Sequence, residues 1–148
     1  MGDPMKIIID ADACPVIDIT VNIAKKKNIP CIIICDNSHT ISREGVTTVT
    51  VDKGADSTDI KIANTAEKDD IVVTQDYGLA ALILGKKAKA LNQNGLIYTD
   101  KNIENLLHTR FIAKKTRLAG GRTKGPPRRS RDDDTAFSES LMKLLEET

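Results

Sequence analysis

Short apolar runs alternate with stretches of helical spacing along most of this chain, and the alternation predicts its elements one by one. Lys6–Asp10 carries three consecutive isoleucines and predicts a first strand buried on both faces. Cys14-Pro15 predicts the opening of a helix that runs to about Asn28, with proline in the first turn, where its missing N–H costs nothing. Val16, Ile19, Ile23 and Ala24 give that helix its apolar stripe, and Lys25, Lys26 and Lys27 sit favourably at its negative end. Pro30–Cys35 and Val46–Val51 predict the second and third strands. Ile60, Ala63 and Ala66 repeat at helical spacing and predict a helix over Asp56–Glu67, with Asp56 and Asp59 as a cap pair at its start. Asp70–Thr74 predicts a fourth strand, and Leu79, Ala80, Leu82 and Ile83 a helix that stops at Gly85. Ala88–Leu91 predicts a fifth strand and Leu96–Tyr98 a small sixth. Thr99 is placed to cap a helix from about Asp100 to Arg117 that turns Ile103, Leu106, Leu107 and Phe111 inward.

Strands alternating with helices imply right-handed crossovers. They predict an α/β domain over residues 5–118, a three-layer α/β/α arrangement around a mostly parallel sheet of about five strands. Residues 119–132 break the pattern: Gly120-Gly121 and Gly125-Pro126-Pro127, interleaved with Arg and Lys, predict a basic loop or arm. Residues 133–148 return to helical spacing, with Phe137, Leu141, Leu144 and Leu145 placed to dock on the same domain. Met1–Pro4 read as a cloning remnant ahead of a natural start at Met5.

Composition sharpens the picture in two places. The apolar residues are mostly Ile, Leu, Val and Ala, with no Trp, two Tyr and two Phe, which suits a helix-covered parallel sheet better than an aromatic-rich sandwich. Cys14, Cys31 and Cys35 are odd in number and form no Cys-x-x-Cys; Cys31 and Cys35, four apart in a strand, read as small buried hydrophobes. Free thiols, no signal-peptide pattern and no long apolar run predict a cytoplasmic protein with no membrane partner.

Charge is strongly segregated beneath a net +1. Residues 1–104 hold twelve Lys/Arg against fifteen Asp/Glu, residues 105–131 hold nine Lys/Arg and no acid, and residues 132–148 hold one Lys against six acids. Local fields matter more than the sum, so the balanced total does not argue against a polyanionic partner.

Acidic residues stand where predicted strands give way to loops or helices. Asp10 ends the first apolar run, Asp12 lies in the following turn, Asp56 and Asp59 open a helix after Gly54, and Asp76 follows Val72-Val73-Thr74-Gln75. If the strands are parallel these positions share the carboxyl edge of the sheet, where sites form in open α/β folds. Carboxylates gathered there repel one another unless a divalent cation lies between them, and oxygen-only ligands suit Mg²⁺ or Mn²⁺. Asp10 reads as a direct metal ligand. Asp12 reads either as a second ligand or water-orienting group, or as the cap of the Cys14-Pro15 helix. Asp56 is explained by capping alone; Asp59 is the better placed of the two to reach inward. Thr58 reads as a helix-surface hydroxyl, Thr74 as a rival cap to Asp76, and His39 and His108 as isolated residues.

Asp10-Ala-Asp12-Ala-Cys14-Pro15-Val16, Gly54-Ala-Asp56-Ser-Thr-Asp59-Ile60, Thr74-Gln-Asp76-Tyr-Gly78-Leu79-Ala80-Ala81, Leu91-Asn-Gln-Asn-Gly95 and Gly120-Gly-Arg122-Thr-Lys124-Gly125-Pro126 together closely resemble the YaiI/YqxD family of bacterial proteins. That family is similar in turn to PIN-like domains, metal-dependent ribonucleases that use a strand-end Asp, an acid on a later helix and a Thr-x-Asp at a later strand end. The resemblance implies a PIN-like domain with Asp10 as first acid, Asp56 or Asp59 as helix acid, Asp76 as third acid and Thr74 assisting. The sequence departs from the PIN pattern where Glu usually supplies the helix acid, and where Asn92 and Asn94 stand in place of a downstream fourth acid. With Asp12 kept from the reading of the strand end, the catalytic set is Asp10, Asp12, Asp59 and Asp76, and the metal set is Asp10, Asp56, Asp59 and Asp76.

The basic segment completes the expectation. Lys114, Arg117, Arg122, Lys124, Arg128 and Arg129 form a cluster able to hold phosphates without reading sequence, and the lack of interleaved aromatics argues against base stacking on the arm itself. The leading reading is a metal-dependent nuclease, on RNA ahead of DNA. A non-catalytic nucleic-acid-binding or regulatory module with the same fold stands second. A small-molecule phosphatase stands third: Asp10-x-Asp12 after an apolar strand resembles the haloacid-dehalogenase nucleophile motif, but Cys14 stands where that motif prefers Thr or Val. A homo-oligomer is left open.

Overall fold

In a computed structural model, which describes residues 5–12, 14–37, 41–52, 57–118 and 129–147, the isoleucine run forms strand β1 at Ile7–Asp10, fully buried over Ile7–Ile9. It lies at the centre of a five-stranded, all-parallel sheet of order β3-β2-β1-β4-β5, whose other strands are β2 (Cys31–Asp36), β3 (Thr47–Val51), β4 (Ile71–Val73) and β5 (Lys89–Leu91). A central parallel strand has a helix layer over each face, which is why β1 is apolar at successive positions rather than alternate ones.

Five helices make those two layers: α1 (Ile17–Lys26), α2 (Ser57–Thr65), α3 (Tyr77–Gly85), α4 (Asp100–Leu118) and α5 (Arg131–Glu146). One core packs Ile7, Ile9, Ala11, Ile33, Ile71 and Val73 against Ile17 and Val21 of α1 and Phe137, Leu141 and Leu144 of α5. The other packs Ile8, Ile34, Val72 and Ala90 against Ile62 of α2, Leu79 and Ile83 of α3, and Ile103 of α4. The strand alternation decides the assignment: odd-numbered β1 residues face α1 and α5, even-numbered ones face α2, α3 and α4. Cys31 and Cys35 lie together in the first core as free, buried thiols. No helix among the described residues is long and apolar enough to cross a membrane.

The structure moves several predicted boundaries. No helix separates β2 from β3 among the described residues. The helix expected from Cys14 starts at Ile17, with Val16 as N-cap and no side-chain cap; a turn closed by Cys14 N–H on the Ala11 carbonyl (3.2 Å) uses up the preceding residues. The sixth strand reduces to one antiparallel bridge pair, Leu91 with Ile97. The last helix starts two residues early, at Arg131, because Ser130 and Asp133 form a capping box.

Asp70 is an acid at the opposite end of β4 from the loops that carry the other carboxylates. It is 2% exposed and accepts hydrogen bonds from Lys6 N (3.0 Å), Lys6 Nζ (2.6 Å) and Glu67 N (2.8 Å), so its role is to tie β1 to β4.

Candidate functional site

The strand order fixes where a crevice opens. From β1 the chain passes through α1 to β2 on one side, and from β4 through α3 to β5 on the other, with α1 and α3 on opposite faces. The carboxyl ends of β1 and β4 therefore flank a topological switch point, the usual ligand position in an open α/β sheet.

Both strand ends place oxygens there. Ile9 pairs with Val73 in the parallel register, so Asp10 and Thr74 are the next residues along, on the α2–α3 face. Thr74, 2% exposed, accepts from Asp76 N (3.0 Å) and donates its hydroxyl proton to Asp10 Oδ2 (2.7 Å). Because the backbone N–H of Asp76 occupies an acceptor position of the hydroxyl, the Thr74 proton is directed to Asp10. The Tyr98 hydroxyl, buried in the second core, donates to the Thr74 carbonyl (3.1 Å) and fixes the same residue from beneath. Thr74 thus orients the Asp10 carboxylate, and Asp76 rather than Thr74 caps α3, accepting from Leu79 N at 3.1 Å.

Burial pushes the Asp10 carboxyl from 3.8 up to about 6; the Thr74 hydroxyl opposes the rise, the Asp12 and Asp76 carboxylates add to it, and the Asp12 backbone N–H opposes it. Asp10, Asp12 and Asp76 therefore lie close enough to repel. Asp12 is exposed and does not cap α1; its Oδ2 accepts from Thr58 Oγ1 at 3.2 Å. This corrects the reading of Thr58 as a surface hydroxyl: it is 9% exposed, on the inner side of the first turn of α2. Asp59, one residue on, lines a groove between α2 and α3 together with Asp76.

The expected acids thus fall into two overlapping groups, Asp10 with Asp12 and Asp76, and Asp59 with Asp76. Among the described residues, no three His, Cys, Asp or Glu side chains are placed to hold a metal ion between them. Asp56, the remaining expected ligand, lies outside the described residues. The donor set is all oxygen, the chemistry that suits Mg²⁺ or Mn²⁺.

Of the expected phosphate-binding residues, Arg122, Lys124 and Arg128 and the side chains of Lys114 and Arg117 lie outside the described residues. Arg129, expected on a phosphate-holding arm, has its donors engaged within the protein. Its Nε and NH2 contact Asp134 Oδ1 (2.8 and 2.7 Å), its NH1 donates to Asn94 Oδ1 (2.8 Å), and its NH2 also donates to the Gln93 carbonyl (2.8 Å). The guanidinium binds the start of α5 to the loop after β5 instead of projecting to a ligand. Its field still reaches the site edge: burial pushes the Cys14 thiol up to about 11, and among weaker influences Asp10 adds to that rise while Arg129 opposes it.

Comparison with known proteins agrees with the motif reading. The model of the uncharacterized BCR, YaiI/YqxD family matches residues 8–147. A UPF0178 protein of Ruminiclostridium cellulolyticum is 53% identical over 141 residues, covering 95% of this chain and 92% of the relative. A UPF0178 protein of Exiguobacterium sibiricum is 48% identical over 143 residues, covering 97% and 98%. Among solved structures, a variant of Rae1 (YacP) from Bacillus subtilis superposes with a TM-score of 0.45 at 15% identity, covering 95% of this chain and 91% of that one.

Proposed function

The chain belongs to the YaiI/YqxD family, and from that premise we propose that it is a cytoplasmic Mg²⁺- or Mn²⁺-dependent nuclease acting on RNA. The observation that carries the reading is the Asp10–Thr74–Asp76 arrangement at the switch point, where a half-buried carboxyl is held high by desolvation with Asp12 and Asp76 adding repulsion. Asp10 and Asp76 would hold the ion, with Asp59 or Asp56 completing the set. When bound, such an ion polarises a phosphoryl oxygen and lowers the pKa of water. Thr74 keeps the Asp10 carboxylate in one orientation, and Asp12, exposed and steadied by Thr58, would take up the proton that a water gives away.

Purified protein with Mn²⁺ should cleave labelled single-stranded RNA, and Asp76→Asn should abolish the cleavage. Asparagine is as good a cap as aspartate, so α3 should survive the change. Cleavage that persists in the variant would assign the activity to a contaminant. A non-catalytic nucleic-acid-binding module is the second reading. It is favoured by Asn92 and Asn94 standing where PIN-like domains often carry a fourth acid, and RNA retention without cleavage would establish it.

The basic segment makes a separable prediction. Each phosphate contact on a single strand contributes roughly −0.7 to the slope of log K against log salt. Arg122→Ala with Lys124→Ala should therefore flatten that slope by about one to two units, equally for every sequence, with Mn²⁺ affinity unmoved. An unchanged slope would assign these cations to solvation or to a protein partner. Arg129→Ala should instead loosen α5 and lower stability, since its donors are spent inside the protein.

A further inference from the structure

Asp76 has a second neighbourhood. Between α2 and α3 lies an open groove of about 560 Å³ lined by Asp59, Ile60, Ala63, Asn64, Asp76 and Leu82, among others. Ile60 is 58% exposed and Leu82 59%, and both stand on this groove; among the described residues Leu96, at 38%, is the one further large hydrophobic so exposed. Single exposed aliphatics are ordinary, but two on the walls of one groove that runs up to two carboxylates mark a surface awaiting a ligand.

The lining chooses among occupants. Among the described residues it contains no cation, so an isolated anion finds no partner in that part of the groove. Its volume suits a ligand of nucleotide size, far less than a docked helix requires. A second copy of the chain in two-fold contact would set the two copies' carboxylates against one another. A neutral, flat heterocycle meets none of these objections: aliphatic side chains can cover its faces, and the Asn64 amide offers both a donor and an acceptor to its edge.

We infer that this groove seats one nucleobase with its ribose, beside the phosphate brought to Asp10 and Asp76. A base still stacked in a duplex cannot present its face to Ile60 and Leu82. The inference rests on the nuclease reading for the identity of the polymer, but the groove can be tested without turnover.

The full chain, labelled at Ile and Leu methyls, would be titrated in Mg²⁺ with adenosine 5′-monophosphate and, separately, ribose 5-phosphate. The Ile60 and Leu82 methyls should shift with the nucleotide, and ribose 5-phosphate should bind at least tenfold more weakly. Leu82→Ser, and independently Ile60→Ser, should weaken the nucleotide about fivefold or more; both positions are exposed, so neither change removes core packing. Equal affinity for the two probes, or unmoved methyls at saturation, would overturn the inference. Methyls that shift with protein concentration alone would overturn it in favour of a second copy. Nucleotide binding as described without RNA cleavage would leave the groove standing and remove the catalytic reading. Cleavage with base-indifferent binding would do the reverse.

Discussion

Asp10→Asn should be more stable than the unsubstituted protein at pH 8 in EDTA, and the advantage should disappear by pH 3.5. The folded protein holds the Asp10 carboxyl at about 6, against an ordinary value of 3.8. Between those values the folded state binds more protons than the unfolded chain, so stability falls as pH rises through the window, and the whole cost is present above it. At 1.36 kcal/mol per tenfold change that cost is about 3 kcal/mol. Asparagine keeps the shape and still accepts from Thr74, and the charge assistance it forgoes is already contained in the shift, because the Thr74 hydroxyl and the Asp12 N–H lower it. The gain of about 3 kcal/mol corresponds to a rise in Tm of about 6–12 °C for a chain of this size. Thermal unfolding across pH reads it directly. Equal stability at pH 8 would mean that Asp10 is not strained by its surroundings. Added Mn²⁺ should reverse the order, because only the unsubstituted site gains stability by holding the ion.

Gly95→Ala should destabilise the protein by about 3 kcal/mol, combining left-handed backbone strain with overpacking. Gly95 has φ +86°, and a Cβ there would lie 2.5 Å from the Ala136 carbonyl oxygen, 2.7 Å from its carbon and 2.9 Å from Ser140 Oγ. The obstructing atoms include helix backbone, so relief requires α5 to move off the loop, drawing Phe137 and Leu141 from the core. Ser140→Ala separates clash from lost contact. It removes only the 2.6 Å hydrogen bond to the Gly95 carbonyl and should cost about 1 kcal/mol. Chemical denaturation of the two variants side by side makes the comparison; a Gly95→Ala protein as stable as Ser140→Ala would show that the loop and α5 are not locked together.

What the sequence disclosed follows from which forces are local. The isoleucine run of β1, the short apolar runs of β2, β4 and β5 and the Asp76 cap depend on near neighbours, and the motif Thr74-Gln75-Asp76 carries its geometry within three residues. The meeting of Thr74 with Asp10 depends on parallel register between strands 64 residues apart, which apolar runs imply but do not fix. Thr58 looked like any first-turn hydroxyl because its burial is decided by where α2 crosses the β1 loop, a tertiary fact. Tyr98 sat in what read as a small strand, and its hydroxyl on the Thr74 carbonyl had no counterpart in local pattern. Arg129 read as one more cation in a basic run; the partners that distinguish it, Gln93 and Asn94, lie at least 35 residues away. Asp70, which the pattern shows only as the first residue of a strand, is a buried tie to Lys6, 64 residues away.

Calorimetric titration of Mn²⁺ into the unsubstituted protein, Asp10→Asn and Asp76→Asn tests the central claim most directly, because it asks whether these two strand-end acids hold one cation without asking about substrate. The unsubstituted protein should bind Mn²⁺ saturably and each variant at least tenfold more weakly, with both variants folded. Mn²⁺ affinity unchanged in both would contradict it.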